Sequence, residues 1–158
     1  MLEILLKNTP PFSVNKAWYK KTFTRTRECR AWGQAIADQI ENDATLQAQI
    51  CSFKEQFNPL EQFLTVHIYF FQPTTKLLSK KGNLKRLGQD LSNVEKMLID
   101  IIFDPRHSDR NLGLDDCLIG ELHSFKRIAP QQKIIIRIKS SNLKALKYHG
   151  TVPRKHSL

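Results

Sequence analysis

The sequence predicts a single α+β domain, a mixed β-sheet packed with helices in the order β-α-(α)-β-α-β-β. Three observations lead there. The chain has 158 residues, the size of one domain with a real hydrophobic core. Its composition, 41% hydrophobic and 25% charged, is that of a folded protein and not of a disordered one. Runs rich in β-branched residues alternate with segments of helical period, so helices and strands are interleaved along one chain.

Leu2 to Lys7 is apolar enough for a first strand and stops before Pro10-Pro11. PPFSVNKAWYKK then reads as an extended loop with aromatic and basic residues interleaved. Thr24 to Glu41 reads as a helix, with Ala31, Ala35, Ile36 and Ile40 at helical spacing. Ala44 to Phe57 is a second helix or a continuation of the first, closed by Asn58-Pro59. FLTVHIYFF, residues 63 to 71, is a strand. Leu64, Val66, Ile68 and Phe70 lie on its apolar side, and Thr65, His67 and Tyr69 face the other way. Gln72 to Gln89 has no consistent period and reads as a loop. Ser92 and Glu95 have the spacing of a capping box that opens the next helix. In that helix Val94, Met97, Leu98 and Ile101 face inward, while Asn93, Lys96 and Asp100 share a polar stripe. After a loop from Asp104 to Leu114, Leu118 to Ile128 and Ile134 to Ile138 read as two strands paired across Pro130. The domain is expected to span residues 1–140, and residues 141–158 to form a basic, partly disordered tail.

The formal charge of +10 and a pI near 9.7 point to a polyanionic partner, nucleic acid before an anionic membrane surface. No stretch approaches the run of about 20 apolar residues that a membrane span needs. MLEILLKNTPPF has neither a basic lead nor a small-residue cleavage site, which gives the expectation of a cytoplasmic protein. Cys29, Cys51 and Cys117 are odd in number and form no CxxC pair, so they read as reduced thiols, buried or half-buried.

The densest basic run, with Lys76, Lys80, Lys81, Lys85 and Arg86, suits phosphate binding. Directly behind it come Asp90 and Asp100, and then Asp115 and Asp116. Carboxylates there repel phosphate unless they hold a cation. Magnesium prefers oxygen ligands and commonly takes one or two carboxylates with phosphate oxygens and water. It polarises the phosphate and acidifies an attacking water, and Lys96 beside Asp100 would steady the developing charge. The plainer alternative is a solvated basic loop, an Asp-Asp turn before a strand and a surface Lys96–Asp100 pair worth about 0.3 kcal/mol.

DLSNVEKMLID followed by LDDCLIGELHSFK resembles the RusA family of Holliday junction resolvases, whose pattern runs Asp-x-Asp-Asn-x-x-Lys-x-x-x-Asp, then Asp-Asp leading into a strand. TPPFSVNKAWYK is similar to the family's Pro-Pro-Ser-x-Asn opening, and Thr24 to Ile40 to the helix that follows it. The likeness covers residues 1–139. It implies a Mg²⁺-dependent crossover junction endodeoxyribonuclease of DNA recombination and repair, acting as a homodimer on a four-way DNA junction. Asp90 and Asp116 would be catalytic metal ligands, with Asp100 or Asp115 completing the site and Lys96 acting in catalysis. Asn15, Lys16 and Asn93 fall in matching segments and would bind DNA with the basic run. Phe12, Trp18, Tyr19 and Phe23 would stack on unpaired bases or belong to the core. Ser92 departs from the pattern, standing where the family carries a second aspartate. Two alternatives follow: a branched-DNA-binding protein with weakened or lost cleavage, and a general basic nucleic-acid-binding domain whose acids are structural.

Overall fold

The structure, a computed structural model, describes residues 1–13, 17, 25–85, 91–104 and 112–146. Its elements are β1 (Leu2–Lys7), α1 (Arg27–Glu41), α2 (Ala44–Gln56), β2 (Gln62–Gln72), a single turn α3 (Thr74–Leu77), α4 (Leu91–Ile102), β3 (Ile119–Ile128) and β4 (Lys133–Asn142). Short 3₁₀ turns at Asp116–Leu118 and Leu143–Leu146 flank the last two strands. The expected α+β order is observed, as a mixed four-stranded sheet with its helices on one face.

The strand order is β1-β4-β2-β3. β4 pairs antiparallel with both β1 and β2, and β2 pairs parallel with β3. The expected β3–β4 hairpin is therefore incorrect. Residues 129–132 instead pass over the end of β2, where the Ala129 N–H donates to the Gln72 carbonyl at 3.0 Å. The strand sequences explain the choice. Ile134, Ile136 and Ile138 of β4 are at most 1% exposed, each gaining about 2 kcal/mol from burial, and a central position covers them best. β3 reads IGELHSFKRI, whose charged side chains suit an edge that must not recruit another strand.

α1 starts at Arg27, with the Thr26 hydroxyl accepting from the Cys29 N–H at 3.2 Å, a side-chain cap on the first turn. Its buried stripe is Cys29, Trp32, Ile36 and Ile40; Ala31 and Ala35, which share their helical spacing with the isoleucines, are exposed because the larger side chains claim the core. α2 is a separate helix, begun by Asp43, whose carboxylate accepts from the Leu46 N–H. Leu64, Val66, Ile68 and Phe70 of β2 point to the helices as expected. In α4 the buried set is Val94, Met97, Leu98, Ile99 and Ile102. Ile101 is half-buried and lies over Gly33, where an added Cβ would stand 3.2 Å from its Cδ1, so the missing side chain lets α1 and α4 approach closely.

The segment expected as one loop from residue 72 to 89 is partly folded. After α3, an isolated bridge joins Leu78 to Leu84, and Gly82 at φ 80° makes the turn between them, with its N–H donating to Ser79. β4 and its trailing turn carry ordered chain to residue 146, beyond the expected boundary at 140. Cys29 is buried as expected, but Cys51 and Cys117 are exposed. Residues 147–158 lie outside the described residues, as does most of the opening loop. Among the described residues no helix is long and apolar enough to cross a membrane.

Gly120, near the start of β3, faces the buried Phe63 ring, and a Cβ there would come within 2.9 Å of Phe63 Cγ. Gly120→Ala is expected to destabilise the fold by about 1–3 kcal/mol, read as a lower urea midpoint. Pairing it with Phe63→Leu should recover part of that loss, and strictly additive effects would refute the steric account.

Candidate metal centre and basic finger

α4 carries the chain back from the end of β2 to the start of the parallel strand β3, so its last turns lie toward the end of the sheet where β3 begins. Lys96 and Asp100 stand one turn apart on its polar stripe, with Nζ 3.5 Å from Oδ1. The side chain of Lys96 is 65% exposed and that of Asp100 24%, so the pair keeps a wet ammonium beside a half-sheltered carboxylate. Asn93, on the same stripe, is half-buried. The expected capping box is not formed. Helix α4 begins at Leu91, so Ser92 lies inside the first turn, and the Glu95 carboxylate accepts from the Ser124 hydroxyl of β3. That bond fastens the helix to the edge strand.

Asp115 and Asp116 sit where the chain enters β3. Asp115 closes the 3₁₀ turn, its Oδ1 accepting from the Cys117 N–H at 2.9 Å. This backbone donor, helped by the Cys117 thiol, holds the Asp115 carboxyl below the usual carboxylate range. The same contact pushes the Cys117 thiol up. Both acids are exposed. Asp115 is thus an ionised oxygen donor at neutral pH, and exposed carboxylates beside water suit a hard divalent cation. Among the described residues no three carboxylate, histidine or cysteine side chains gather into a metal-sized group. Asp90, the remaining expected ligand, lies outside the described residues, as do Asn15, Lys16 and Arg86.

The expected phosphate-binding lysines fall on one ordered finger. Lys80 and Lys81 occupy the turn between Leu78 and Leu84, Lys76 lies within α3, and all three are exposed. Lys85 is drawn back, its ammonium donating to the Thr75 carbonyl. Leu77, 6% exposed, roots the finger in the protein. Phe12, proposed for base stacking, packs on Trp32 with ring centroids 5.5 Å apart, so it belongs to the rim of the core. Trp18, Tyr19 and Phe23 lie outside the described residues.

One group of residues escaped the sequence reading. On the sheet face opposite the helices, His67, Tyr69 and Phe125 form a cluster. His67 meets His123 edge-on at 5.0 Å, and Tyr69 stacks on Phe125 at 5.0 Å. The alternation of β2 placed His67 and Tyr69 on that face; their neighbours needed the β2–β3 register, which a sequence does not display.

The sequence matches no protein-family model, and it has no match among curated proteins.

Burial pushes the His67 imidazole below its ordinary value of 6.5, aided by the positive neighbours His123, Lys139 and Arg137 and opposed by Glu121. The folded state therefore favours neutral His67, and the unfolded chain binds the extra proton first. The stabilisation is complete above about pH 6.5 and fades as pH falls through the folded value. Urea titrations from about pH 7.5 to about pH 5.5 should show stability falling with acid. His67→Gln should flatten that slope, and an unchanged slope in the variant would rule His67 out as its source.

Proposed function

We propose that the chain is a Mg²⁺-dependent, structure-specific endodeoxyribonuclease that resolves four-way DNA junctions as a homodimer. One observation carries this reading. Lys96 and Asp100 share one stripe of α4, and the helix leads to the strand end headed by Asp115 and Asp116, in the order of the RusA pattern the sequence resembles. The basic finger with Lys76, Lys80 and Lys81 precedes that segment in the sequence and supplies cations for the phosphodiester backbone.

Asp90 and Asp116 would hold the cation, with Asp100 or Asp115 assisting. When bound, the cation supplies a polarised phosphate and a more acidic water. Lys96 then has a separate task. Its exposed ammonium, oriented by Asp100, is placed to stabilise negative charge on non-bridging phosphate oxygens. Two such sites in an isologous dimer match the two opposed cuts that a junction requires.

A second reading, a junction-binding protein that does not cut, is favoured by Ser92, a hydroxyl where the resembled pattern has a carboxylate. It predicts binding without nicking.

The test is a labelled four-way junction and a matched linear duplex, incubated with Mg²⁺ or with EDTA. Paired nicks confined to the junction, absent in EDTA and in Asp90→Asn and Asp116→Asn, are expected. Lys96→Ala should slow cutting about 100-fold while junction binding persists. A shifted but uncut junction would move the assignment to the second reading. Equal affinity for junction and duplex would defeat both.

A further inference from the structure

The face of the sheet turned away from the helices carries a regular array. Cross-strand pairing sets its side chains in rows. One row runs Leu5, Ile135, Tyr69, Phe125, and the next runs Lys7, Lys133, Phe71, Arg127. Tyr69 and Phe125 stack with planes 17° apart. Arg127 lies over both rings, at 5.0 Å from Phe125 and 5.9 Å from Tyr69. Arg137 stands 5.4 Å from the Tyr69 ring centre, and Lys133 4.8 Å from that of Phe71. Among the described residues no helix of the core packs on this face, and Tyr69, Phe71 and Phe125 are half-buried there.

The charge of the face is one-sided. Lys7, Lys133, Lys139, Arg127 and Arg137 supply five cations. Among the described residues its acids are Glu3, bound to Arg137 at 2.7 Å, and Glu121, which accepts from the Thr65 hydroxyl. A second copy of the chain seated here would set this cationic surface against itself. A duplex offers no free base to the rings. An extended polyanion with flat unpaired bases satisfies both features. Rings two residues apart on a strand recur at about 7 Å, a step that splayed bases can follow. Arg127 spends one N–H on the Lys126 carbonyl at 2.9 Å, and a guanidinium over a ring keeps further donors for phosphate.

We infer that this open face is a binding platform for single-stranded DNA, with Tyr69, Phe71 and Phe125 stacking on bases and Arg127, Lys133 and Lys139 holding phosphates. It is separate from the α4–β3 acids, and only the choice of DNA over RNA rests on the endonuclease reading. On a branched substrate the platform would take up strand freed at the crossover.

The experiment measures binding of fluorescent oligo(dT) to the whole chain in EDTA, so that cleavage plays no part. The variants are the doublet Tyr69→Leu with Phe125→Leu, which keeps the apolar bulk, and the doublet Lys133→Gln with Lys139→Gln. The leucine doublet should weaken oligo(dT) binding about tenfold or more with an unchanged circular dichroism spectrum. The glutamine doublet should lower the slope of log affinity against log salt by about 1.4. A bromodeoxyuridine oligonucleotide should crosslink to the peptide of β2 or β3. Oligo(dT) affinity indifferent to both doublets, or crosslinks confined to other peptides, would overturn the inference. So would a dimer that the leucine doublet turns into monomers in sedimentation, since the face would then be a subunit contact. Oligo(U) bound more tightly through the same residues would overturn the choice of DNA. A chain that binds oligo(dT) this way yet nicks no junction refutes the nuclease reading and leaves the platform standing.

Discussion

The arrangement of this protein depends on one placement: β4 lies between β1 and β2. Its three inward isoleucines supply the centre of the apolar layer, and its two ladders join strands that otherwise do not touch. Because side chains alternate along a strand, the register that buries Ile134, Ile136 and Ile138 also fixes what lies behind them. Ile135, Arg137 and Lys139 are carried to the open face in line with Tyr69, His67 and Thr65. The core and the cationic surface are thus two readouts of one pairing, and neither shifts without the other.

α4 is the second organising element, and it is tied at three levels. Its apolar stripe is buried to completion at Met97, Leu98 and Ile102. Gly33 lets Ile101 settle against α1, and Glu95 is held by Ser124 of β3. The polar stripe with Lys96 and Asp100 is what these attachments leave outward. A helix anchored on both flanks holds its exposed side chains to a narrow range of positions, as the role proposed for Lys96 and Asp100 requires.

Much of this was legible in the sequence. The bounds of β1 followed from its apolar run ahead of Pro10-Pro11, the two faces of β2 from alternation, and the Lys96–Asp100 pair from helical spacing. What failed did so for identifiable reasons. The β3–β4 hairpin was the natural inference from two strands joined by a short turn through Pro130, but a parallel crossover left β3 at the edge and the isoleucine-rich strand took the interior. Ser92 and Glu95 have the spacing of a cap, yet Glu95 found a hydroxyl on another element, and no local rule anticipates that competition. The helical spacing of Ala31, Ala35, Ile36 and Ile40 found α1 but not its inner face, which Cys29 and Trp32 share with the two isoleucines because they bury more surface than alanine. Of the acids, the pair at the start of β3 and Asp100 could be placed, and their helix–strand setting agrees with their order in the chain. The aromatic platform stayed hidden because it is made across strands: Tyr69 and Phe125 are distant in sequence and adjacent only through register.

The pairing of Leu2 with Ile138 joins the first strand of the chain to the last. While the protein is being synthesised, β1 emerges from the ribosome with its inner edge vacant and Leu2, Ile4 and Leu6 bare, and its partner follows more than a hundred residues later. At about 5–20 residues per second, that interval lasts roughly 7–30 s. Until then the helices and β2 can gather only a partial core, and the nascent segment presents a sticky strand to whatever passes. The sheet therefore closes only once β4 has been made, and for that whole interval β1 waits without the strand that covers its edge.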